Sequence, residues 1–270
     1  MQLTAKIPIE NEEIFYFIEE NNRPKVLFLH GFNSNQNFIF QLKNKKDRKY
    51  DIVAVDFPGC GLSSQNEEIT VEKYQDIIAK FIKILDIDIS LTVGHSLGCV
   101  ITLFLLKEGL TKKAILVAPL NPYIFQAVFK NLIKNLNIWL LPKTLEDAKN
   151  CLKNLVFSDK LNFRSDLQKN AINFLKLVNK KRVFLKKIVT SQILNPDWHR
   201  RILLPLFQQQ NDFLIIGAAN DNFVPITSLE KISEKFKKKL ITINDCGHAV
   251  FFEKSEEINI EIEKMLEINL

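Results

Sequence analysis

The sequence predicts an α/β fold built around a parallel sheet. Six short apolar runs, rich in β-branched residues and bounded by turn residues, are typical of strands buried on both faces. Helical periods separate the runs, as in successive strand–helix–strand units. With 270 residues, of which 46% are hydrophobic and 25% charged, the chain can bury a sizeable core. These observations exclude a disordered, collagen-like or disulfide-stapled protein.

The predicted elements alternate along most of the chain. A leading hairpin is predicted near residues 3–8 and 13–18, and buried strands at 26–30, 52–56, 90–94, 114–118, 213–217 and 240–244. Helices are predicted at 71–85, 97–106, 226–236 and 255–266. Thr70 is a suitable N-cap for the first helix, because its hydroxyl can accept a hydrogen bond from a free helix N–H.

The alternation stops once, between residues 120 and 200. This stretch has helical periods but no strand signal, and Pro122, Pro142 and Pro196 interrupt it. It carries 15 Lys and Arg against 5 Asp and Glu, whereas the rest of the chain is net acidic. We therefore predict a core domain of residues 1–119 and 201–270, with residues 120–200 inserted as a helical cap.

The lack of a recognised targeting signal and the spacing of the cysteines favour a cytoplasmic protein. No run of 18 apolar residues indicates a membrane span, and no basic segment precedes an apolar leader. The cysteines form neither a CxxC pair nor a metal-ligand spacing: Cys60, Cys99, Cys151 and Cys246. We expect free thiols and no metal site.

The strongest motif is Gly94-His95-Ser96-Leu97-Gly98, which follows a predicted strand and opens a predicted helix. That context is required for a G-x-S-x-G nucleophile elbow. A turn this tight should hold Ser96 in a strained backbone conformation and leave room only for glycine on either side. The serine hydroxyl would then stand at a helix N-terminus, where developing negative charge is favoured.

A serine nucleophile needs a base, and the base needs an acid to orient it. His248 follows the last predicted strand, on a loop from which it can approach Ser96. His30 and His95 are expected to be structural, and His199 to lie at the edge of the cap. These assignments make His248 the candidate base.

Asp221 is the candidate acid, on the loop after the strand at 213–217. The order Ser96, Asp221, His248 is that of α/β-hydrolase triads. Asp245 is the rival acid, but at three residues from the histidine it is better placed to turn the loop. An oxyanion hole needs two backbone N–H donors, for which we expect Leu97 and Phe32.

Taken together, these motifs resemble the α/β-hydrolase fold superfamily, in its branch of small hydrolases with a helical cap. The resemblance rests on H-G-Φ at 30–32, D-x-P-G-x-G-x-S at 56–63, G-H-S-L-G at 94–98, G-x-x-x-D-x-x-x-P at 217–225 and G-H at 247–248. It implies an eight-stranded, mostly parallel sheet and hydrolysis without a cofactor. Many members carry a second glycine after the first motif, whereas this chain has residues Asn-Ser-Asn at 33–35.

The triad and the cap lead to a functional hypothesis. We expect an acyl-enzyme mechanism on carboxylic esters, by a carboxylesterase or a monoacylglycerol- or lysophospholipase-like enzyme. An apolar stripe in the cap, which includes Phe125, Phe129 and Trp139, is expected to bind the substrate. Two alternatives stay open: an aminopeptidase of the proline-iminopeptidase type, and a non-catalytic ligand-binding protein on the same scaffold.

The expected partner is a small ester, which could be a lipid. A nucleic-acid partner is not expected, because the basic cap has no recognised binding motif and the lysine-rich composition explains much of its charge. A basic surface attracts anionic headgroups, so peripheral membrane contact through the cap is a further hypothesis.

Overall fold

The computed structural model describes residues 1–126, 130–157 and 166–267. Its centre is an eight-stranded sheet in the order β1-β2-β4-β3-β5-β6-β7-β8. The strands are β1 Gln2–Ile9, β2 Glu12–Glu19, β3 Lys25–Leu29, β4 Asp51–Val55, β5 Ile89–His95, β6 Ala114–Val117, β7 Leu214–Ala218 and β8 Leu240–Ile243. β2 pairs antiparallel with β1 and β4, and the other pairs are parallel. The predicted mostly parallel sheet is confirmed.

Helices connect the strands and cover both faces of the sheet. They are α1 Phe40–Asn44, α2 Val71–Ile84, α3 Gly98–Lys107, α4 Lys130–Leu140, α5 Leu145–Leu155, α6 Leu167–Ile188, α7 Pro196–Trp198, α8 Leu204–Phe207, α9 Ile226–Phe236, α10 Val250–Glu253 and α11 Ser255–Met265. The four helices predicted from periodicity agree with α2, α3, α9 and α11 to within two residues at each end. The Thr70 side chain accepts a hydrogen bond from the N–H of Lys73, so it caps α2 as predicted.

Alternate residues of the central strands feed two hydrophobic layers. On β3, Leu27 and Leu29 join the layer that contains α2 and α3. Val26 and Phe28 join the opposite layer, which contains α11. All four side chains are fully buried. Burial on both faces explains why the strand sequence is continuously apolar rather than alternating.

Between β6 and β7, every element that the structure describes is helical, from α4 to α8. The longest, α6, has 22 residues. No helix within the described ranges is long and apolar enough to cross a membrane. That residues 120–200 act as a separate cap stays a prediction.

Candidate active site

The turn between β5 and α3 has the geometry that its sequence predicts. Ser96 has a φ of +52°, in the left-handed region that non-glycine residues rarely adopt. Its N–H donates to the carbonyl of Val117 at 2.9 Å, and its own carbonyl accepts from the N–H of Leu120 at 3.2 Å. The strained serine is thus held from both sides by the end of β6, and such over-determined strain is found at functional sites.

The glycines that flank this turn are required by crowding. A Cβ at Gly98 would lie 2.2 Å from the carbonyl oxygen of Leu29, and a Cβ at Gly94 would lie 2.4 Å from Oγ1 of Thr102. Both distances are far inside van der Waals contact. Glycine therefore lets α3 pass directly against β3, which sets the position of Ser96.

Asp221 and His248 form a buried pair. Nδ1 of His248 lies 2.7 Å from Oδ2 of Asp221, and the carboxylate is wholly inaccessible to solvent. The other carboxylate oxygen accepts hydrogen bonds from the N–H groups of Phe223 and Val224, at 2.7 and 2.9 Å. This pairing places the proton of a neutral imidazole on Nδ1 and leaves Nε2 able to accept one.

Aromatic contacts fix the His248 ring on two sides. The Phe223 ring stacks on it with centroids 4.9 Å apart, and the His95 ring lies 4.8 Å away. Nε2 of His95 is 2.9 Å from the His248 carbonyl oxygen, so its N–H donates to that backbone. His95 therefore supports the histidine loop, in line with the structural role expected of it.

Asp245, the rival acid, is not the carboxylate that lies against Nδ1 of His248, since Asp221 holds that position. Its side chain is exposed and its φ is +50°. It turns the loop that carries His248.

Burial makes the remaining histidines poor bases near neutral pH. Desolvation lowers the pKa of His30 and of His199 to about 4 each. Desolvation, together with the nearby His248, lowers the pKa of His95 to about 3. His199, expected at the edge of the cap, is instead fully buried, with Nε2 2.9 Å from the Ile193 carbonyl.

The two groups expected around the oxyanion come from different loops: Phe32 follows β3, and Leu97 lies in the turn between β5 and α3. The two loops are close, since a Cβ on Gly31 would lie 3.2 Å from the Cβ of Ser96. Within the described part of the chain, no acceptor takes the backbone N–H of Phe32 or of Leu97. Asn33 has a φ of +50°. This is the left-handed conformation, which asparagine tolerates better than most residues.

Two buried side chains, Asp56 and His30, hold this loop, and His30 thereby has the structural role expected of it. Oδ1 of Asp56 accepts from the N–H of Gln36 at 2.6 Å, and Oδ2 accepts from the N–H of Leu62 at 2.8 Å. Nε2 of His30 accepts from the N–H of Phe57 at 3.0 Å. Asp56 and His30 therefore join the loop after β3 to the loop after β4.

Glu253 was missed by sequence reasoning. Its carboxylate accepts from the N–H of Gly247 at 2.7 Å and from the N–H of Phe157 at 2.9 Å. It thereby joins the histidine loop to the end of the segment that contains α5. No motif marks it, because both contacts are to backbone N–H groups, which every residue except proline carries.

A cavity of about 480 Å³ opens over these groups. Ser96, Leu97, Phe32 and His248 lie on its wall, and helices α4, α5 and α6 contribute apolar side chains from the other side. The volume falls in the range of small-molecule sites. Among the described residues, no hydrogen bond joins the Ser96 hydroxyl to His248, although both side chains face this cavity. Such bonds often tighten only when substrate is bound.

The three predicted substrate contacts have different outcomes. Trp139 lines the cavity and packs on Phe223, with ring centroids 4.9 Å apart. Phe125 is not among the described residues of the cavity wall; its ring packs edge-on against His199 at 4.6 Å. Phe129 lies outside the described residues.

Comparison with known proteins agrees with the fold. A family model described as alpha/beta hydrolase fold matches residues 24–255. A Mycoplasma pneumoniae protein named "Putative esterase/lipase 2" is 26% identical over 250 residues, which cover 88% of this chain and 87% of that protein.

Solved structures show the same architecture at lower identity. A membrane phospholipase A, described as a bacterial virulence factor, superposes with a TM-score of 0.81 at 18% identity, over 98% of this chain and 86% of that one. A thermophilic esterase superposes with a TM-score of 0.73 at 19% identity, over 99% and 98%. Likeness at this identity shows the fold alone.

The family match and the esterase/lipase name of the similar protein identify the chain as an enzyme of the hydrolase class. The chain belongs to the alpha/beta hydrolase fold family. The resemblance seen in the sequence motifs is thereby confirmed.

Proposed function

We propose that the protein hydrolyses carboxylic esters through a triad of Ser96, His248 and Asp221. The observation that carries the proposal is the buried Asp221–His248 pair, whose histidine lines the same cavity as the strained Ser96. A nucleophile, a base and an orienting acid then converge on one site, in the chain order found in this family.

The proposed mechanism assigns a step to each group. Nε2 of His248 takes the Ser96 proton as the hydroxyl oxygen attacks the ester carbonyl, and Asp221 stabilises the resulting imidazolium. The N–H groups of Phe32 and Leu97 stabilise the oxyanion. His248 returns the proton to the departing alcohol, and water activated by the same histidine then releases the acid from Ser96.

The cavity wall supports an ester with an apolar acyl chain. The side that faces away from the sheet consists of α4–α6 side chains, among them Leu136, Trp139 and Leu152. We infer a carboxylesterase or a monoacylglycerol- or lysophospholipase-like enzyme. The names of the similar proteins, an esterase/lipase and a phospholipase A, agree with this substrate class.

The aminopeptidase alternative lacks a feature that it needs. A free amino terminus is cationic, so its site should contain a carboxylate. Among the described residues that line the cavity, none is Asp or Glu. The non-catalytic alternative requires the complete set of Ser96, His248 and Asp221 to be retained without use.

Hydrolysis of p-nitrophenyl esters from acetate to palmitate tests the proposal. We expect turnover to fall by at least about 10³-fold in Ser96→Ala, because the nucleophile is removed. Ser90→Ala, at the opposite end of the same strand, is the matched control and should keep wild-type turnover. Full activity in Ser96→Ala would refute the nucleophile. Turnover of a prolyl arylamide without ester hydrolysis would favour the aminopeptidase, and tight binding of esters without turnover would favour the ligand-binding protein.

A further inference from the structure

Helix α6 has a charge pattern that the proposed reaction does not use. Its 22 residues include six lysines and one arginine but no Asp or Glu. A helix stabilised by ordinary surface pairs would carry acids three or four residues from its bases. The one-sided charge of α6 therefore calls for a partner outside the helix.

Three of these cations are held by the protein. Lys181 donates to the carbonyl of Gly59, and Arg182 donates to the carbonyls of Leu141 and Pro142. Lys187 forms an ion pair with Glu68.

The remaining lysines have no acidic partner in the part of the chain that the structure describes. Lys169, Lys176, Lys180 and Lys186 are all exposed, and none of them lies within ion-pair distance of a described carboxylate. They give the helix an uncompensated positive surface.

Exposed apolar side chains lie among these lysines. Leu177 is 38% exposed, Val183 80% and Phe184 42%. At 100° per residue, Lys176, Lys180 and Val183 fall on one stripe, with Leu177 and Phe184 beside it. We call these five residues the outer face of α6.

The inner side of the same helix is firmly attached. Val178, Leu185 and Ile188 are buried in the core cluster, and Phe174 lines the cavity that contains Ser96. The outer face is therefore presented on a rigid support next to the candidate active site, rather than on a frayed segment.

We propose that the outer face of α6 docks on the surface of an anionic lipid bilayer. Lysines beside large apolar side chains on one helical face are what an interfacial helix needs: the charges attract the headgroups and the apolar groups enter the boundary below them. An acidic protein would pair with the lysines. It would not account for Val183, which is 80% exposed. The surface goes beyond the proposed ester hydrolysis and does not require it.

The test is co-sedimentation of the protein with vesicles, a measurement of binding that does not depend on turnover. We expect the protein to bind vesicles of phosphatidylcholine containing about one third phosphatidylserine, and to bind pure phosphatidylcholine at least about tenfold more weakly. Lys176→Glu/Lys180→Glu should weaken binding by at least about tenfold, because two attractions become repulsions. Val183→Ser/Phe184→Ser should weaken it severalfold without changing its dependence on anionic lipid.

The matched control reverses two exposed lysines at the same spacing on another helix, Lys231→Glu/Lys235→Glu on α9. It changes net charge by the same amount and should keep wild-type binding. Equal loss in the control would show that net charge alone acts and would overturn the proposal, as would unchanged binding in both α6 variants. Hydrolysis of a short soluble ester should be unchanged in all three double variants. Vesicle binding and Ser96-dependent hydrolysis can therefore fail independently.

Discussion

The strand-end loops of the core and the helical segment between β6 and β7 are built by different means. In the core, each group of the site is fixed by short buried hydrogen bonds or by a close backbone approach, as at Asp221 and Gly98. The helical segment buries apolar side chains against the core, and some of its polar contacts are made by long cationic side chains, as from Arg182 to the carbonyl of Leu141. The difference suggests that changes in the core alter the chemical step, whereas changes in the helical segment alter substrate choice and surface contacts.

The largest expected effect is in the core, at the acid. Asp221→Asn should lower kcat for a short ester by about 10⁴-fold, because the amide no longer holds His248 in the required tautomer. Asp245→Asn alters the exposed rival acid, on the loop that carries His248. Its kcat should stay within about twofold of the wild-type value. Steady-state kinetics decides between them. A large loss in Asp245→Asn with little loss in Asp221→Asn would exchange their roles.

A second expected effect concerns the stability of the core. Gly98→Ala should lower the free energy of unfolding by about 3 kcal/mol, because its Cβ would meet the Leu29 carbonyl at 2.2 Å. Gly109→Ala is the comparison: φ there is +68°, but nothing lies within 4 Å, so only backbone strain of about 1 kcal/mol is expected. Urea titration measures both. Equal losses would contradict the expected cost of crowding at Gly98, which has no positive φ.

The third prediction concerns pH. His199 has a pKa of about 4 in the folded protein because it is desolvated, against about 6.5 when unfolded. The unfolded chain therefore binds more protons, and stability falls as pH decreases from about 6.5 to about 4. His199→Gln should make the free energy of unfolding less dependent on pH in this range, by up to about 1.4 kcal/mol per pH unit. Urea titrations at several pH values measure the change. An unchanged slope would contradict the burial of a neutral imidazole.

The smallest expected effect lies in the helical segment and concerns selectivity. Trp139→Ala should lower kcat/KM for a decanoyl ester by about tenfold, because a cavity wall is lost, and leave the acetyl ester within about twofold. Ile138→Ala is the control. The Ile138 side chain, next to Trp139 in sequence, is 36% exposed and is not among the described cavity residues. A melting curve checks that both variants fold. Equal losses on both esters would place Trp139 in the support of the chemical step instead.

The same contrast explains how far the sequence could predict the structure. The turn at Ser96 was predictable because a buried strand, two required glycines and a buried helix are all local in sequence. The pairing of Asp221 with His248 was predictable because both follow predicted strands and the carboxyl ends of parallel strands meet at one edge. The chain order Ser96, Asp221, His248, which is that of the family, favoured Asp221 over Asp245.

Contacts that depend on packing were less predictable. Glu253 accepts from the N–H of Phe157, 96 residues earlier in the chain, as well as from Gly247, and no motif records these contacts. Phe125 was expected in the cavity because it belongs to an apolar stripe. An apolar period fixes which face of a helix is buried but not what it is buried against, and here the partner is His199.

The most direct test of the central claim is covalent labelling by an organophosphonate ester that reacts with activated serine hydroxyls. A single adduct is expected in the intact protein, located on the peptide that contains Ser96 and absent from Ser96→Ala. Asp221→Asn should label much more slowly, because the base that activates the serine is no longer oriented. An adduct on a different residue, or none on the folded wild-type protein, would contradict the assignment of Ser96 as the nucleophile.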